Sequence, residues 1–328
     1  MQSPGTSRTS VAGAGQALRL VVAMVLTALM FWWAGPAAVW QAARGARWTW
    51  IGGAILLVVA DRTLMAYRWV ALLRAIPSAA HPRLTEILRV FFVSTYLGTF
   101  LPGSVGGDAV RTYGLNRLAV PATDAFASVF MDRILGIVSL LVMTLVGLVL
   151  ARDLARDPAV LVALIATAMV CVIAAFVIFS RHAGALSDAV ARRVPSARVG
   201  RVTTGVVAGL QRYAPERRIL IVVLMVSIAV QVLRVLQAYC LGRSLGIALP
   251  PTTYFAFVPI ILLVMLLPIS VNGLGTSQIA FVGLFGTAGV ADGPAFALSV
   301  LFLALGILGN LPGGVLYALG RGKGTGPR

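Results

Sequence analysis

The sequence predicts an all-α polytopic membrane protein: six spanning helices plus two re-entrant helical hairpins, arranged as an inverted repeat. Three observations predict it. With 59% hydrophobic and 11% charged residues the chain is far too apolar for a soluble domain, where about 25% of residues are charged. Its apolar runs have membrane-spanning length, apart from two that Pro and Gly interrupt. And Leu101-Pro-Gly-Ser-Val-Gly-Gly-Asp108 returns 166 residues later as Leu267-Pro-Ile-Ser-Val-Asn-Gly-Leu274, so the interruptions lie at corresponding places in two halves.

Residues 1–16 are small and polar and read as a disordered cytoplasmic tail. Ala17 to Ala34 is the first span. The small residues after it resemble a cleavage site, but the run exceeds the ~7–15 residues of a signal peptide's apolar core and ends in the interfacial pair Trp32-Trp33. Trp48 to Leu73 is the second span, Pro121 to Leu150 the third, Ala159 to Ser180 the fourth, Ile219 to Leu241 the fifth and Pro294 to Leu319 the sixth. Ile87 to Leu115 breaks at Pro102-Gly103, and Tyr254 to Phe285 breaks between Pro268 and Gly275. Halves of about 12 to 16 residues are too short to span, and irregular backbone survives in a bilayer only inside protein or along a wet cavity. These are hairpins A and B, within a single transmembrane domain over 17–320 whose repeats cover 17–150 and 159–319. Residues 321–328 form a basic cytoplasmic tail.

Lys and Arg accumulate in cytoplasmic loops. The Arg-rich loop from Arg181 to Arg218 is therefore expected inside, together with both termini and the loop carrying Arg74, Arg83 and Arg89. Arg44 and Arg47 disagree. The net charge of +17 has the same origin and predicts no nucleic-acid partner. Three spans separate the hairpins, so these enter from opposite faces and the repeat is inverted. A multi-pass plasma-membrane protein is the expectation.

Ionisable residues inside a bilayer cost at least about 2.5–3.5 kcal/mol each and are functional candidates by default. Here they are Asp61, Arg62, Arg68, Asp108, Arg111, Asp132, Arg133 and Arg234. Arg68 and Arg234 are themselves 166 apart. One guanidinium toward each leaflet suits a phosphate received on one side and released on the other, because Arg binds phosphate bidentately and stays charged. Snorkelling to the nearer interface is the plainer reading. Gln231 and Gln237 flank Arg234 and favour a polar interior. Asp61 and Arg68 share a helix face with Met65 and Leu72. Asp132 and Arg133 diverge by about 100° on their helix and need partners elsewhere; Asp61, Arg62, Asp132 and Arg133 form either a gate or a structural charge network.

Gly106, Gly107 and Asp108 end the break in hairpin A, and Asn272, Gly273 and Gly275 end that in hairpin B. Glycine permits positive φ and bares N–H groups at the start of the second half-helix, where anions bind; a simple tight turn is the alternative. Substrate contacts are thus expected from Arg68, Gly106, Gly107, Asp108, Arg111, Arg234, Asn272, Gly273 and Gly275. Cys171 and Cys240 lie far apart in apolar runs, and His81 and His182 stand singly in loops. Neither metal site, cofactor nor catalytic set is expected.

Arg68-Trp69, Leu101-Pro-Gly-Ser-Val-Gly-Gly-Asp-Ala-Val-Arg111, Asp132-Arg133-Ile-Leu-Gly136 and Pro268-Ile-Ser-Val-Asn-Gly-Leu-Gly275 together resemble the lysylphosphatidylglycerol synthase transmembrane-region family, a flippase-like domain, over about residues 17 to 320. The resemblance implies translocation of aminoacylated phosphatidylglycerol made by a separate soluble domain, which these 328 residues do not contain. Asp108, Arg111, Asp132 and Arg133 match the family pattern. Thr276-Ser277-Gln278 departs from it, since the family usually carries an acidic residue there, often after Arg; no charge coupling at hairpin B is carried over. The expected function is a flippase or transporter for a phospholipid or a polyprenyl-phosphate-linked lipid. The alternatives are a scaffold subunit partnering a membrane-bound lipid- or glycan-modifying enzyme, and a membrane transferase acting on a lipid phosphate with Asp108 or Asp132 as base.

Overall fold

The computed structural model describes residues 47–76, 82–100, 105–150, 158–180, 182, 184, 187, 197–266 and 275–319. The expected first span, both tails and the hairpin tips at 101–104 and 267–274, including Asn272 and Gly273, lie outside the described residues. Ten helices make up the described chain: α1 Trp48–Ala75, α2 Leu84–Gly98, α3 Val105–Asn116, α4 Ala122–Leu150, α5 Pro158–Phe179, α6 Ala197–Gln211, α7 Arg217–Ser244, α8 Pro251–Leu266, α9 Thr276–Thr287 and α10 Asp292–Ala318. Four of them, α1, α4, α7 and α10, are long and apolar enough to cross a membrane; α8 and the stretch Thr167–Phe179 of α5 are apolar but shorter.

The helix boundaries follow from local chemistry. Ile76 leaves α1 in an extended conformation just before Pro77, a residue type that disfavours helix at its predecessor. At the head of α2 the Arg83 N–H donates to Glu86 Oε2 at 3.0 Å, occupying a donor that the helix leaves free. Between α3 and α4 the chain turns through Ala119 at φ 63, with Val120 N–H donating to the Leu115 carbonyl at 3.2 Å. Between α9 and α10 it turns in the same way through Gly289 at φ 81, with Val290 N–H on the Phe285 carbonyl at 3.1 Å. Glycine is at ease in that left-handed conformation, whereas alanine costs roughly 1 kcal/mol or more there.

Each half has the order long, short, short, long: α1 to α4, then α7 to α10. The short helices, of 15, 12, 16 and 12 residues, lie on either side of the two Pro- and Gly-containing breaks. Packing partners correspond as well. α2 lies on α3 and α10, and α8 lies on α9 and α4; α3 lies on α4 as α9 does on α10; and α1 and α7 pack on each other more extensively than any other pair. That central pair runs antiparallel, since Arg47 N–H donates to the Ser244 carbonyl at 3.0 Å while Arg68, a helix length away, reaches Ser227.

Two glycines allow close crossings between the halves. A Cβ at Gly147 of α4 would lie 2.8 Å from the Ala256 carbonyl oxygen of α8, and one at Gly313 of α10 would collide with the Phe92 carbonyl of α2. They are 166 residues apart, the offset of the tip motif.

The Arg181 to Arg218 segment differs from the expectation of a loop, because it contains α6. Its glycines Gly205 and Gly209, one turn apart, sit where a Cβ would meet Thr123 and Ala127 of α4. Small residues at i and i+4 let α6 lie flat on α4, a pattern that the density of arginines hides. Tyr213, fully buried, follows α6 and donates its hydroxyl to the Leu72 carbonyl at 3.0 Å, while Arg212 pairs with Asp124 at 2.8 Å. Burial, with the Asp124 carboxylate nearby, pushes the Tyr213 phenol above its ordinary range, so it serves as a neutral donor.

Candidate functional site

Eight ionisable side chains, seven from α1, α3 and α4 of the first half and Arg234 from α7 of the second, are ion-paired within these helices. They form three groups rather than the single Asp61–Arg62–Asp132–Arg133 set that the sequence suggested.

In the first group Asp132 lies between two arginines. Arg68 Nε donates to Oδ1 at 2.6 Å and Arg111 Nη1 to Oδ2 at 3.4 Å. All three are buried. Arg68 also donates through Nη1 to Ser227 Oγ at 3.0 Å, and Gly136 leaves room for its guanidinium. Arg111 reaches Ser94 Oγ and Thr95 Oγ1 and lies over the adjacent Trp69 and Phe91 rings, its Cζ 4.9 Å from each centroid. Such stacking suits a desolvated guanidinium, which is weakly hydrated and attracted to ring faces.

In the second group Asp61 is held in the same manner. Arg234 Nε donates to Oδ1 at 3.1 Å and Arg62 Nη1 to Oδ2 at 3.0 Å. Both arginines also touch Met65 Sδ, and Arg62 reaches the Gly306 carbonyl at 3.2 Å. Asp61 is buried, but the Arg234 side chain is 26% exposed against 7% for Arg68. Asp61 and Ser227 are 166 apart, as are Arg68 and Arg234. Each arginine of the α1–α7 pair therefore contacts the other helix at the repeat partner of one shared position: Arg68 meets Ser227, and Arg234 meets Asp61.

The third group is Arg133 with Asp108, joined by two parallel bonds of 2.8 Å, Nε to Oδ2 and Nη2 to Oδ1. It is the most open of the three, at 39% and 20% side-chain exposure. Asp132 and Arg133 thus point to different partners, as their divergence on the helix requires.

The glycines divide. Gly106 and Gly107 lie inside α3 and are helical, so they supply no positive-φ turn. Gly107 is required by proximity instead, since a Cβ there would stand 3.1 Å from both the Gly98 Cα and the Ser94 carbonyl oxygen of α2. Gly275 does take positive φ, 83°, at the start of α9, with its N–H donated to Gln278 Oε1 at 2.7 Å. Gln278 thereby occupies a donor that an anion would otherwise use. Gln231 and Gln237 are buried on α7; Gln231 Nε2 lies 3.4 Å from Ser139 Oγ, while Gln237 Nε2 and Gln231 Oε1 have no partner among the described residues.

Ser227, Ser94 and Thr95 were not singled out in the sequence. The offset of 166 from Asp61 marks Ser227, whereas nothing marks Ser94 and Thr95 beyond their place on hairpin A.

Comparison with known proteins identifies the family. The family described as Lysylphosphatidylglycerol synthase TM region matches residues 16–313. A protein of Methanothermobacter thermautotrophicus named "UPF0104 membrane protein" is 25% identical over 305 residues, covering 87% of this chain and 89% of its own length. No solved structure matches the chain.

Proposed function

The chain belongs to the lysylphosphatidylglycerol synthase TM region family, and from that premise we propose that it carries a lipid with a phosphate-bearing head between the two leaflets of the plasma membrane. The observation that carries this reading is the set of arginine–aspartate groups in the middle of apolar helices, one of which joins the two halves through Arg234 and Asp61. Charge at that depth is costly and is kept where a polar substrate or pathway requires it.

We read the halves as an inverted repeat, with the expected first span, α1, α4, α5, α7 and α10 crossing the bilayer and α2–α3 and α8–α9 as re-entrant hairpins. The antiparallel contact between repeat-related α1 and α7 supports this, because equivalent helices related by a two-fold axis in the membrane plane must run in opposite directions. Arg68 and Arg234 then mark one station on each side of that axis. Arg234 and Arg133, both partly open, are the arginines that first meet a head group, with Asp61 and Asp108 releasing them to the phosphate. Arg68 and Arg111 form the closed station. On the charge pattern of the loops, the termini face the cytoplasm.

A transporter fits better than a transferase. A base needs a carboxylate free to take a proton, and both oxygens of the buried Asp132 are engaged by guanidinium groups that the transport reading leaves in place.

The test is translocation of a fluorescent phospholipid in proteoliposomes, followed by dithionite bleaching of the outer leaflet. The purified chain should bleach beyond the half reached in protein-free vesicles, and Arg133→Ala, recovered as monodisperse folded protein, should lose that excess. Wild-type behaviour of Arg133→Ala, or no excess in the wild type, contradicts the proposal.

A further inference from the structure

Helices α1 and α7 carry corresponding triplets at the repeat offset: Asp61, Met65 and Arg68 on α1 stand where Ser227, Gln231 and Arg234 stand on α7. With spacings of four and three residues, each triplet keeps to one helix face. Antiparallel packing in this register sets each arginine opposite the first two members of the other triplet. Arg234 uses both, for its Nε donates to Asp61 Oδ1 at 3.1 Å and its Nη2 to Met65 Sδ at 3.3 Å. Arg68 uses one. Its Nη1 donates to Ser227 Oγ at 3.0 Å, and Gln231 receives no bond from it.

The unmade contact leaves an acceptor idle. Gln231 is 5% exposed, and its Nε2 lies 3.4 Å from Ser139 Oγ. The Ser139 hydroxyl donates to the Gly136 carbonyl at 2.8 Å, so its oxygen is what meets the amide nitrogen. That orientation leaves Gln231 Oε1 without a donor among the described residues. A buried carbonyl oxygen in that condition is costly, which a leucine or methionine at the same place would avoid.

Two helices bring Arg68 near that oxygen. On α7 its guanidinium sits at Ser227, four residues before Gln231. On α4 it sits at Gly136, where a Cβ would lie 3.6 Å from Nη1, three residues before Ser139. Gln231 therefore lies one helical turn, about 5 Å, beyond the guanidinium along both helices. Rotamer change in an arginine side chain covers that distance.

We infer that Gln231 is a positioning residue for Arg68: when the side of the assembly holding Arg68 opens, its guanidinium moves one turn along α7 and rests on the Gln231 amide oxygen, as Arg234 now rests on the Met65 sulfur. This rests on the transport reading for the opening and adds the residue that receives Arg68. Asp132 keeps Arg111 throughout, so its carboxylate is not left unpaired. A neutral acceptor steadies the guanidinium without cancelling its charge, which leaves it able to bind a phosphate.

Two measurements keep the motion and the transport apart. In thermal unfolding of the intact chain in detergent, Gln231→Leu alone should leave the unfolding temperature unchanged, because it removes an acceptor that has no donor. Ser227→Ala takes away the present rest of Arg68 and turns its Nη1 toward Gln231. In that background Gln231→Leu should lower the unfolding temperature by about 2 °C, a non-additivity that reads the new Arg68–Gln231 bond. Additive effects overturn the inference whatever the protein transports.

In proteoliposomes, Gln231→Leu should lower the maximal translocation rate of fluorescent phosphatidylglycerol about tenfold, with its half-saturating mole fraction and its retention in native mass spectrometry unchanged. Gln231→Met, which installs the sulfur of the repeat partner, should recover most of that rate. A wild-type rate in Gln231→Leu, or equal losses in Gln231→Leu and Gln231→Met, overturns the inference. Non-additive unfolding in a chain that moves no lipid keeps Gln231 as the rest of Arg68 and removes the transport reading instead.

Discussion

Arg68 and Arg234 occupy repeat-related positions, yet their surroundings differ. Arg68 is closed in, with Asp132 and Ser227 on its guanidinium; Arg234 shares Asp61 with Arg62 and is several times more exposed. One sequence difference underlies the contrast. The shared position facing each arginine is Ser227 for Arg68 and Asp61 for Arg234, so Arg68 obtains its counter-charge from α4 and is buried, while Arg234 obtains it from α1 and stays partly exposed. In a two-fold arrangement, the closed and open stations are the two environments that one position would exchange when access alternates. The comparison teaches that a shared sequence offset is compatible with a strongly polarised charge distribution.

The strongest way to break the comparison is to remove the carboxylate on the closed side. Asp132→Asn strands Arg68 and Arg111 together in a dry site and should cost about 3–5 kcal/mol, read as a large fall in the thermal unfolding temperature in detergent. Asp61→Asn should cost clearly less, because Arg62 and Arg234 are partly open. Equal losses would erase the distinction between the stations.

Close packing comes next. Gly313→Ala and Gly147→Ala each force a methyl group against a carbonyl of the opposite half, and each should destabilise by roughly 1–3 kcal/mol in the same assay. Substitution of Gly283 or Gly293, where a Cβ meets nothing within 4 Å, is the matched control and should have little effect.

Ser227→Asp sharpens the contrast from the other direction. It gives Arg68 the counter-charge that Arg234 already has, and should weaken retention of a phosphate-bearing lipid severalfold with the fold intact. The smallest effect is expected for Tyr213→Phe, which deletes one buried hydrogen bond to Leu72 and should cost about 1 kcal/mol.

Much of this fold is legible in the sequence, and the reason is periodic punctuation. The tip motif and the Arg68–Arg234 pair share one offset, and the Pro- and Gly-containing breaks fall between the two short helices of each half. The same offset identifies Ser227 and the Gly147–Gly313 pair, so these could have been found by scanning the whole chain at 166. What was not legible is which aspartate meets which arginine. That depends on the register of antiparallel helices far apart in sequence, and composition carries no information about it. Gly106 and Gly107 illustrate a second limit, since a glycine required for close approach looks the same as one required for a turn. α6 escaped notice because Arg198 and Arg201 at its start continue a run of basic residues whose density suggested a loop.

The central claim is that the exposed arginine between the halves is what a lipid phosphate engages during translocation, and it is tested most directly by Arg234→Gln in proteoliposomes. With unfolding temperature and monodispersity matching the wild type, the variant should leave phosphatidylglycerol translocation at the rate of protein-free vesicles. Translocation at the wild-type rate by that folded variant would contradict the account.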